Sequence, residues 1–306
     1  MKVEVEVEGK QSSNIMDKSK NRIIWIMIIV LSLILLAAVL YRARVVYKEN
    51  KAEQDYDGVR SFVKISADSI DASEDGEDDS DSGPTKAERI EAFLDTGNNR
   101  EKYEYYLKDV RPDFAAMEDK NSDVIAYVEI PETGISYPIL QNVDDSYYLK
   151  NSFAKNDDTF GAIYIENCNS ADWSDPITVV YGHHLSNGSL FGKLTEYKKK
   201  EYCEANPYFI IYTKDGVSVY EIVVTSKYST DYLLNSAFSE DESGNMTFDG
   251  IDDGLGIELI DQIKAYGKDK AYVTQSEVTK EDKIVILSTC CDNSTRRFLV
   301  VGKKVL

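Results

Sequence analysis

The sequence predicts a mostly β domain with helices before it and one helix inserted late, preceded by a single transmembrane helix. From Asn121 onward, short apolar runs are separated by turn residues, which is typical of many short strands. Apolar residues at helical spacing follow Pro84, and an uncharged stretch covers residues 23–41. The 306 residues therefore divide into a short N-terminus, an apolar span, a polar connection and one large domain.

The apolar span is nineteen residues long, from Ile23 to Tyr41. At about 1.5 Å per residue, a helix of this length nearly crosses the roughly 30 Å hydrocarbon core of a bilayer. Trp25 and Tyr41 lie near its ends, where aromatic rings favour the interface. A cleaved signal peptide has a shorter apolar region and a small-residue cleavage site, and long aliphatic residues surround Ala37-Ala38. We expect an uncleaved anchor, preceded by the short charged N-terminus at residues 1–22.

The connection at residues 42–83 combines a juxtamembrane stretch with an acidic spacer. Asp68–Gly83 holds eight acidic residues and no Lys or Arg, which favours a solvated spacer. The net charge of −19 excludes a generally basic nucleic-acid binder. Basic residues flank the apolar span on both sides, so the positive-inside rule does not choose an orientation.

The large domain is expected at residues 84–306, with N-terminal helices at 84–120 and strands at 121–306. Thr85–Leu94 places its apolar residues on one face of a helix that Pro84 opens, and a second helical patch covers Tyr103–Val110. Late in the chain, Gly256–Ala265 again has helical spacing. The predicted strands are Val124–Ile130, Gly161–Ile165, Thr178–Tyr181, Tyr208–Tyr212, Val217–Val224, Ile284–Leu287 and Phe298–Val301.

Three residues with complementary chemistry lie at the ends of predicted strands. Cys290 follows the run that begins at Ile284, and Arg297 precedes the run that begins at Phe298. His183 follows another apolar run and is one of only two histidines in the chain. Thiolate is the nucleophilic form of cysteine, and an imidazole or guanidinium can activate it. The three residues therefore predict a site with a thiol nucleophile.

At these residues the chain resembles a sortase, the cysteine transpeptidase of Gram-positive cell surfaces. The resemblance rests on Leu287-Ser-Thr-Cys290, Tyr181-Gly-His183 and Arg297-Phe-Leu-Val-Val-Gly302, although Ile286 stands where the family motif usually begins with Thr. It covers about residues 121–306 and implies a closed β-barrel of about eight strands. The opening Asn121–Pro131 and the late helix-bearing segment are similar to class B members.

The resemblance implies a role for each site residue. Cys290 would attack the acyl carbon of a peptide bond and form a thioester. His183 would protonate the departing amine and then help to deprotonate the incoming one. Arg297 would donate hydrogen bonds to the substrate carbonyl or its oxyanion. Ser288 would line the substrate groove, although a hydroxyl at a strand end also commonly bonds to backbone.

Each of these three residues has a neighbour of the same type, namely Cys291, His184 and Arg296. Side chains alternate along a strand, so Cys290 and Cys291 should face opposite sides. The motifs select the cysteine after Thr289, the histidine after Gly and the arginine before Phe.

The implied function is cleavage of a C-terminal sorting signal of secreted proteins and transfer of the acyl end to an amine of a cell-wall precursor or a pilin. The resemblance also implies the orientation, with residues 1–22 in the cytoplasm and the catalytic domain outside the cell. Two alternatives stay open: a thiol protease that hydrolyses the same bond, and a non-catalytic surface-binding or assembly domain. The chemistry requires no metal or organic cofactor. The four cysteines fit no zinc pattern, and pairing of Cys168 with Cys203 stays open.

Overall fold

The computed structural model describes residues 2–65, 83–230, 233–240, 246–252, 254–268, 271–291 and 295–306, with backbone alone at residues 2–20, 64–65 and 246. The acidic spacer predicted at Asp68–Gly83 lies, apart from Gly83, outside the described residues. The chain forms two compact units, one up to Lys51 and the other from Ala52 to Leu306. The second unit thus includes residues that the sequence analysis assigned to the juxtamembrane stretch.

Helix α1 (Lys2–Arg60) contains the whole predicted apolar span. Within Asn21–Arg60, an eighteen-residue window has a mean hydropathy of 3.2, and none of that window is buried. Among the described residues, this helix alone is long and apolar enough to cross a membrane. Its exposed aliphatic side chains suit a lipid environment, which makes it a candidate anchor.

After the last residues of α1, the second unit continues with a small strand pair and short helices: β1 (Val63–Ile65), α2 (Lys86–Leu94), α3 (Asn99–Lys108), β2 (Val110–Pro112) and α4 (Phe114–Glu118). Thr85 begins α2 with a capping box, because its hydroxyl accepts from the Glu88 amide and the Glu88 carboxylate accepts from the Thr85 amide. Strands β1 and β2 pair antiparallel.

The strands that follow run through most of the remaining chain. The first group is β3 (Val124–Ile130), β4 (Ile135–Leu140), β5 (Tyr164–Ile165), β6 (Ile177–Tyr181), helix α5 (Lys200–Ala205), β7 (Tyr208–Thr213) and β8 (Gly216–Tyr228). The second group is β9 (Phe238–Glu240), β10 (Met246–Phe248), helix α6 (Leu255–Gly267), β11 (Tyr272–Val273), β12 (Ile284–Cys291) and β13 (Arg296–Lys304). Short 3-10 turns occupy Tyr147–Leu149, Gly192–Lys198 and Asn235–Ala237.

Eight of these strands close into a barrel. Their order is β8-β13-β12-β6-β5-β4-β3-β7, and β7 pairs with β8 to complete the ring. The pairs β12–β6 and β4–β5 are parallel and the other six are antiparallel. The predicted closed barrel of about eight strands is therefore confirmed, with β11 added to the outside of β8.

Strand β12 is buried on both faces. Val285 and Leu287 belong to the main core inside the barrel, whereas Ile284 and Ile286 belong to a second cluster that includes residues of α6. A strand covered on both sides has a continuous apolar run rather than an alternating one. This is why Ile284–Leu287 is uniformly aliphatic, and why the predicted late helix is needed outside the barrel.

Candidate active site

Strand pairing brings the three predicted catalytic residues to one end of the barrel. Strands β12 and β6 run parallel with Ser288 opposite Tyr181, so both strands end at the same edge. Cys290 and Arg297 are direct partners in the antiparallel β12–β13 pair. His183 comes two residues after the end of β6. Residues from distant parts of the chain thus meet because of sheet topology.

His183 lies in the loop of residues 182–191, here called the histidine loop, between β6 and the 3-10 turn that begins at Gly192. Two hydrogen bonds fasten the start of this loop to β12. The Gly182 amide donates to the Ser288 carbonyl at 3.1 Å, and the Thr289 hydroxyl donates to the Gly182 carbonyl at 2.8 Å. A Cβ at Gly182 would lie 2.3 Å from the Ile163 side chain and 2.7 Å from the Phe191 ring. Glycine is therefore required here by close packing, which explains its place in the Tyr-Gly-His sequence.

The thiol and the guanidinium are in direct contact. Arg297 Nη1 donates to Cys290 Sγ at 2.7 Å. Arginine carries a permanent charge on a rigid fork of donors, so one donor can bond the sulfur while others reach a nearby oxygen. The pair can therefore hold a nucleophilic sulfur next to a guanidinium donor for the carbonyl oxygen of the substrate.

His183 is partly buried beside the same residues. Its Nε2 lies 3.1 Å from the Leu149 carbonyl oxygen, which can only accept, so Nε2 carries the proton and Nδ1 of a neutral ring is an acceptor. Burial lowers the pKa of His183, the Leu149 carbonyl opposes that shift, and the positive charge of Arg297 lowers the pKa further. A neutral imidazole with a lone pair can accept the proton of a thiol.

The three residues line one pocket of about 280 Å³ together with Ser288. Ser288 is 1% exposed, and among the described residues its hydroxyl has no hydrogen-bond partner. A buried hydroxyl without a partner costs free energy unless something else bonds it. The remaining lining residues are Asp145, Ser146, Leu149, Tyr164, Glu166, Tyr181, Gly182, Thr230 and Leu233.

The pocket lining includes two carboxylates, Glu166 and Asp145, that no sequence pattern indicated. Glu166 is buried and accepts from the Tyr181 hydroxyl, and the ring of Tyr181 stacks on that of Tyr164. Burial raises the pKa of Asp145, while the Asn167 amide that it accepts from works in the opposite direction. Glu166 follows a strand of two residues, so no periodic pattern marked it before the pairing of β5 with β6 was known.

The neighbouring residues of the same types lie elsewhere. Cys291 packs against the core inside the barrel, on the face opposite Cys290. Its strand partner Arg296 is exposed, and so is His184, whose Nε2 lies 3.4 Å from the Thr195 hydroxyl. The three neighbours are absent from the pocket lining.

No disulfide joins any two of the four cysteines, all of which lie in described parts of the chain. The Cys203 thiol is buried and donates to the Tyr197 carbonyl at 3.0 Å, so the question of its pairing with Cys168 is answered in favour of separate thiols. Among the described ranges, no group of three or more His, Cys, Asp or Glu residues is placed to hold a metal ion.

A closed barrel that holds a thiol, an imidazole and a guanidinium in one pocket at the end of its strands has the groups that a thiol-dependent enzyme needs. The family model for the Sortase domain matches residues 128–305, which is more than half of the 306 residues. The chain therefore belongs to the sortase family, whose members are cysteine transpeptidases.

Known relatives agree with this assignment and with class B. Sortase B of Listeria monocytogenes is 27% identical over 203 residues, which cover 64% of this chain and 76% of that protein. The Staphylococcus aureus sortase B-substrate complex is 25% identical with a TM-score of 0.53, over 63% of this chain and 85% of that one. A sortase B complexed with triglycine is also 25% identical, with a TM-score of 0.53 over 63% of this chain and 86% of that one.

Proposed function

We propose that Cys290, His183 and Arg297 catalyse transpeptidation, with Ser288 contacting the substrate. The observation that carries this assignment is the 2.7 Å bond from Arg297 to the Cys290 sulfur, in the pocket that His183 also lines. Because these groups line one pocket, they can all act on the same peptide bond of a bound substrate.

In the first half-reaction, His183 Nδ1 accepts the thiol proton and Cys290 Sγ attacks the carbonyl carbon of the substrate. Arg297 stabilises the oxyanion that forms. The C–N bond then breaks, His183 returns the proton to the leaving amine, and a thioester stays on Cys290. In the second half-reaction, an incoming amine attacks the thioester carbon and His183 accepts its proton. The C–S bond then breaks, and His183 returns this proton to the Cys290 sulfur.

The substrate in this proposal is the C-terminal sorting signal of a secreted protein, and the acceptor is an amine of a cell-wall precursor or a pilin. Structures of relatives with a substrate and with triglycine support peptide and amine partners. Helix α1 would anchor the chain, with residues 1–22 in the cytoplasm and the catalytic domain outside. Its exposed apolar window supports the anchor, and the orientation follows from the family resemblance.

A peptide-library experiment tests the function. The full chain in detergent micelles is incubated with fluorogenic pentapeptides, with and without triglycine, and the products are identified by mass spectrometry. A triglycine adduct is expected. Hydrolysis alone at all triglycine concentrations would indicate a thiol protease instead. Failure of a methanethiosulfonate reagent to label Cys290 would indicate a non-catalytic domain.

A further inference from the structure

We propose that Tyr137 and Glu53 are positioning residues that hold the loop of His183 in its catalytic arrangement, through contacts with the last residues of α1. The inference rests on the proposed function, since it assigns those residues an effect on a histidine that acts in transfer. It gives the segment 52–60 a part in the enzyme that the family domain, matched from residue 128, does not include.

The segment 52–60 is an ordered part of the catalytic unit. Ala52, Tyr56 and Val59 are buried at helical spacing, so one face of this helical end is covered. The Tyr56 ring meets that of Tyr137 edge to face, with centroids 5.0 Å apart. Arg60 also lies over the Tyr137 ring, with Cζ 4.8 Å from its centroid. The Tyr137 side chain is therefore fixed by residues far outside its own strand.

The hydroxyl of Tyr137 connects this segment to the histidine loop. It donates to Glu53 Oε2 at 2.9 Å and accepts from the Leu190 amide at 2.9 Å. Glu53 is itself held by Arg60 Nη1 at 2.6 Å, and Arg60 Nε donates to the Ser136 carbonyl at 3.2 Å. The acceptor on Glu53 orients the Tyr137 proton, which leaves a lone pair aimed at Leu190.

The histidine loop depends on the hydrogen bond from the Leu190 amide to the Tyr137 hydroxyl. It has a φ of 51°, a left-handed conformation that is unfavourable for a branched side chain unless its surroundings enforce it. Leu190 forms an isolated antiparallel β-bridge with His184. The amide of the next residue, Phe191, donates to the His183 carbonyl at 3.1 Å. Without the Tyr137 hydroxyl, a buried amide loses its acceptor and the strained residue loses support. The backbone at His183 then shifts.

The first test compares two matched pairs of variants in the full chain, in detergent micelles. Tyr137→Phe removes the bridging hydroxyl, and Tyr212→Phe removes a buried hydroxyl that bonds the Tyr106 carbonyl elsewhere in the barrel. Glu53→Ala removes the acceptor, and Asp55→Ala removes an exposed carboxylate from the same helix. We expect Tyr137→Phe and Glu53→Ala to lower kcat about tenfold with little change in KM, while both controls keep wild-type kcat. Glu53→Gln keeps an acceptor and should restore most of the rate.

A second readout separates positioning from general destabilisation. The chain has two histidines, so ring carbon labelling gives an NMR spectrum whose histidine signals come from His183 and His184 alone. Tyr137→Phe should shift the His183 resonances, and Tyr212→Phe should not. Unchanged His183 resonances with kcat equal to that of the controls would overturn the inference. That result would leave the proposed function intact if Cys290→Ala still abolished transfer, whereas an active Cys290→Ala variant would overturn the proposed function itself.

Discussion

The two faces of β12 are alternate positions of one strand, yet they have different tasks. The inner face contributes Val285 and Leu287 to the barrel core and ends in Cys291. The outer face begins with Ile284 and Ile286 under α6 and continues into Ser288 and Cys290 in the pocket. Each face carries a thiol, so residue type alone does not distinguish them. The difference teaches that a strand position lines the pocket only beyond the part of the strand that α6 covers, which is why we propose Cys290 rather than Cys291 as the nucleophile.

The largest expected effect separates the two thiols. Cys290→Ala should lower the transfer rate by at least about a thousandfold, because no thioester can form. Cys291→Ala should keep nearly full activity, because it removes a sulfur from the inner face. Transfer kinetics and mass spectrometry of the trapped acyl-enzyme check both variants. Equal activity in the two variants would remove the distinction between the faces.

A smaller effect is expected when the guanidinium of Arg297 is replaced by an ammonium, which keeps the positive charge but not the planar fork of donors. Arg297→Lys should lower kcat about a hundredfold, because an ammonium cannot bond the sulfur and the oxyanion with a rigid fork. Arg296→Lys is the matched control, since that side chain is exposed opposite Cys291. Steady-state kinetics measure the effect, and a full rate for Arg297→Lys would speak against its assigned role.

On the inner face the expected effect is on stability. Leu287→Ala should lower the free energy of unfolding by about 3 kcal/mol, because it leaves a cavity in the barrel core. Urea unfolding followed by tyrosine fluorescence measures the change. At a urea concentration where the variant is folded, its KM should equal the wild-type value. A raised KM in the folded variant would mean that the inner face also shapes the pocket.

On the outer face, Ser288→Ala should change binding more than stability. Its hydroxyl is buried and bonds to no described residue, so its removal should leave the free energy of unfolding unchanged or slightly higher. KM for the peptide should rise by about threefold to tenfold, which corresponds to one hydrogen bond to the substrate. Thermal unfolding and kinetics test both parts. An unchanged KM would assign Ser288 a packing role only.

The smallest effect concerns pH. In the proposed mechanism His183 acts as a base when neutral. Burial lowers its pKa, so the acidic limb of kcat/KM should have its inflection below the ordinary histidine value of 6.5. The rate is then retained at pH values where an exposed histidine would already be protonated. A pH profile from about 4.5 to about 8 measures it. An inflection above 6.5 would contradict the neutral resting state of His183.

The sequence allowed the strands to be predicted well where burial is periodic or continuous. The bounds of β3 were predicted residue by residue, and β12 and β13 were found but extended further, because their polar ends still pair. Strand β4 was not predicted, because Pro138 interrupts its pattern. The strand tolerates this proline because β4 pairs with β5 at Leu140 alone, so the missing amide hydrogen of Pro138 is not needed on that side.

Of the site, residue types at strand ends were enough to select Cys290, His183 and Arg297 as candidates. The carboxylates Glu166 and Asp145 were not found, because they enter the pocket through pairings and loops that have no local signature. The same is true of Tyr137, whose contacts with Glu53 and Leu190 join parts of the chain that are distant in sequence.

The inclusion of residues 52–60 in the catalytic unit bears on how a soluble enzyme should be produced. A fragment beginning at Pro84 would leave the ring of Tyr137 exposed to water and would remove β1 from the edge of β2. Uncovered aromatic surface and an unpaired strand edge both favour aggregation. A fragment beginning at Ala52 keeps these surfaces covered while omitting the apolar span, and is the better starting point for crystallisation or for peptide ligation.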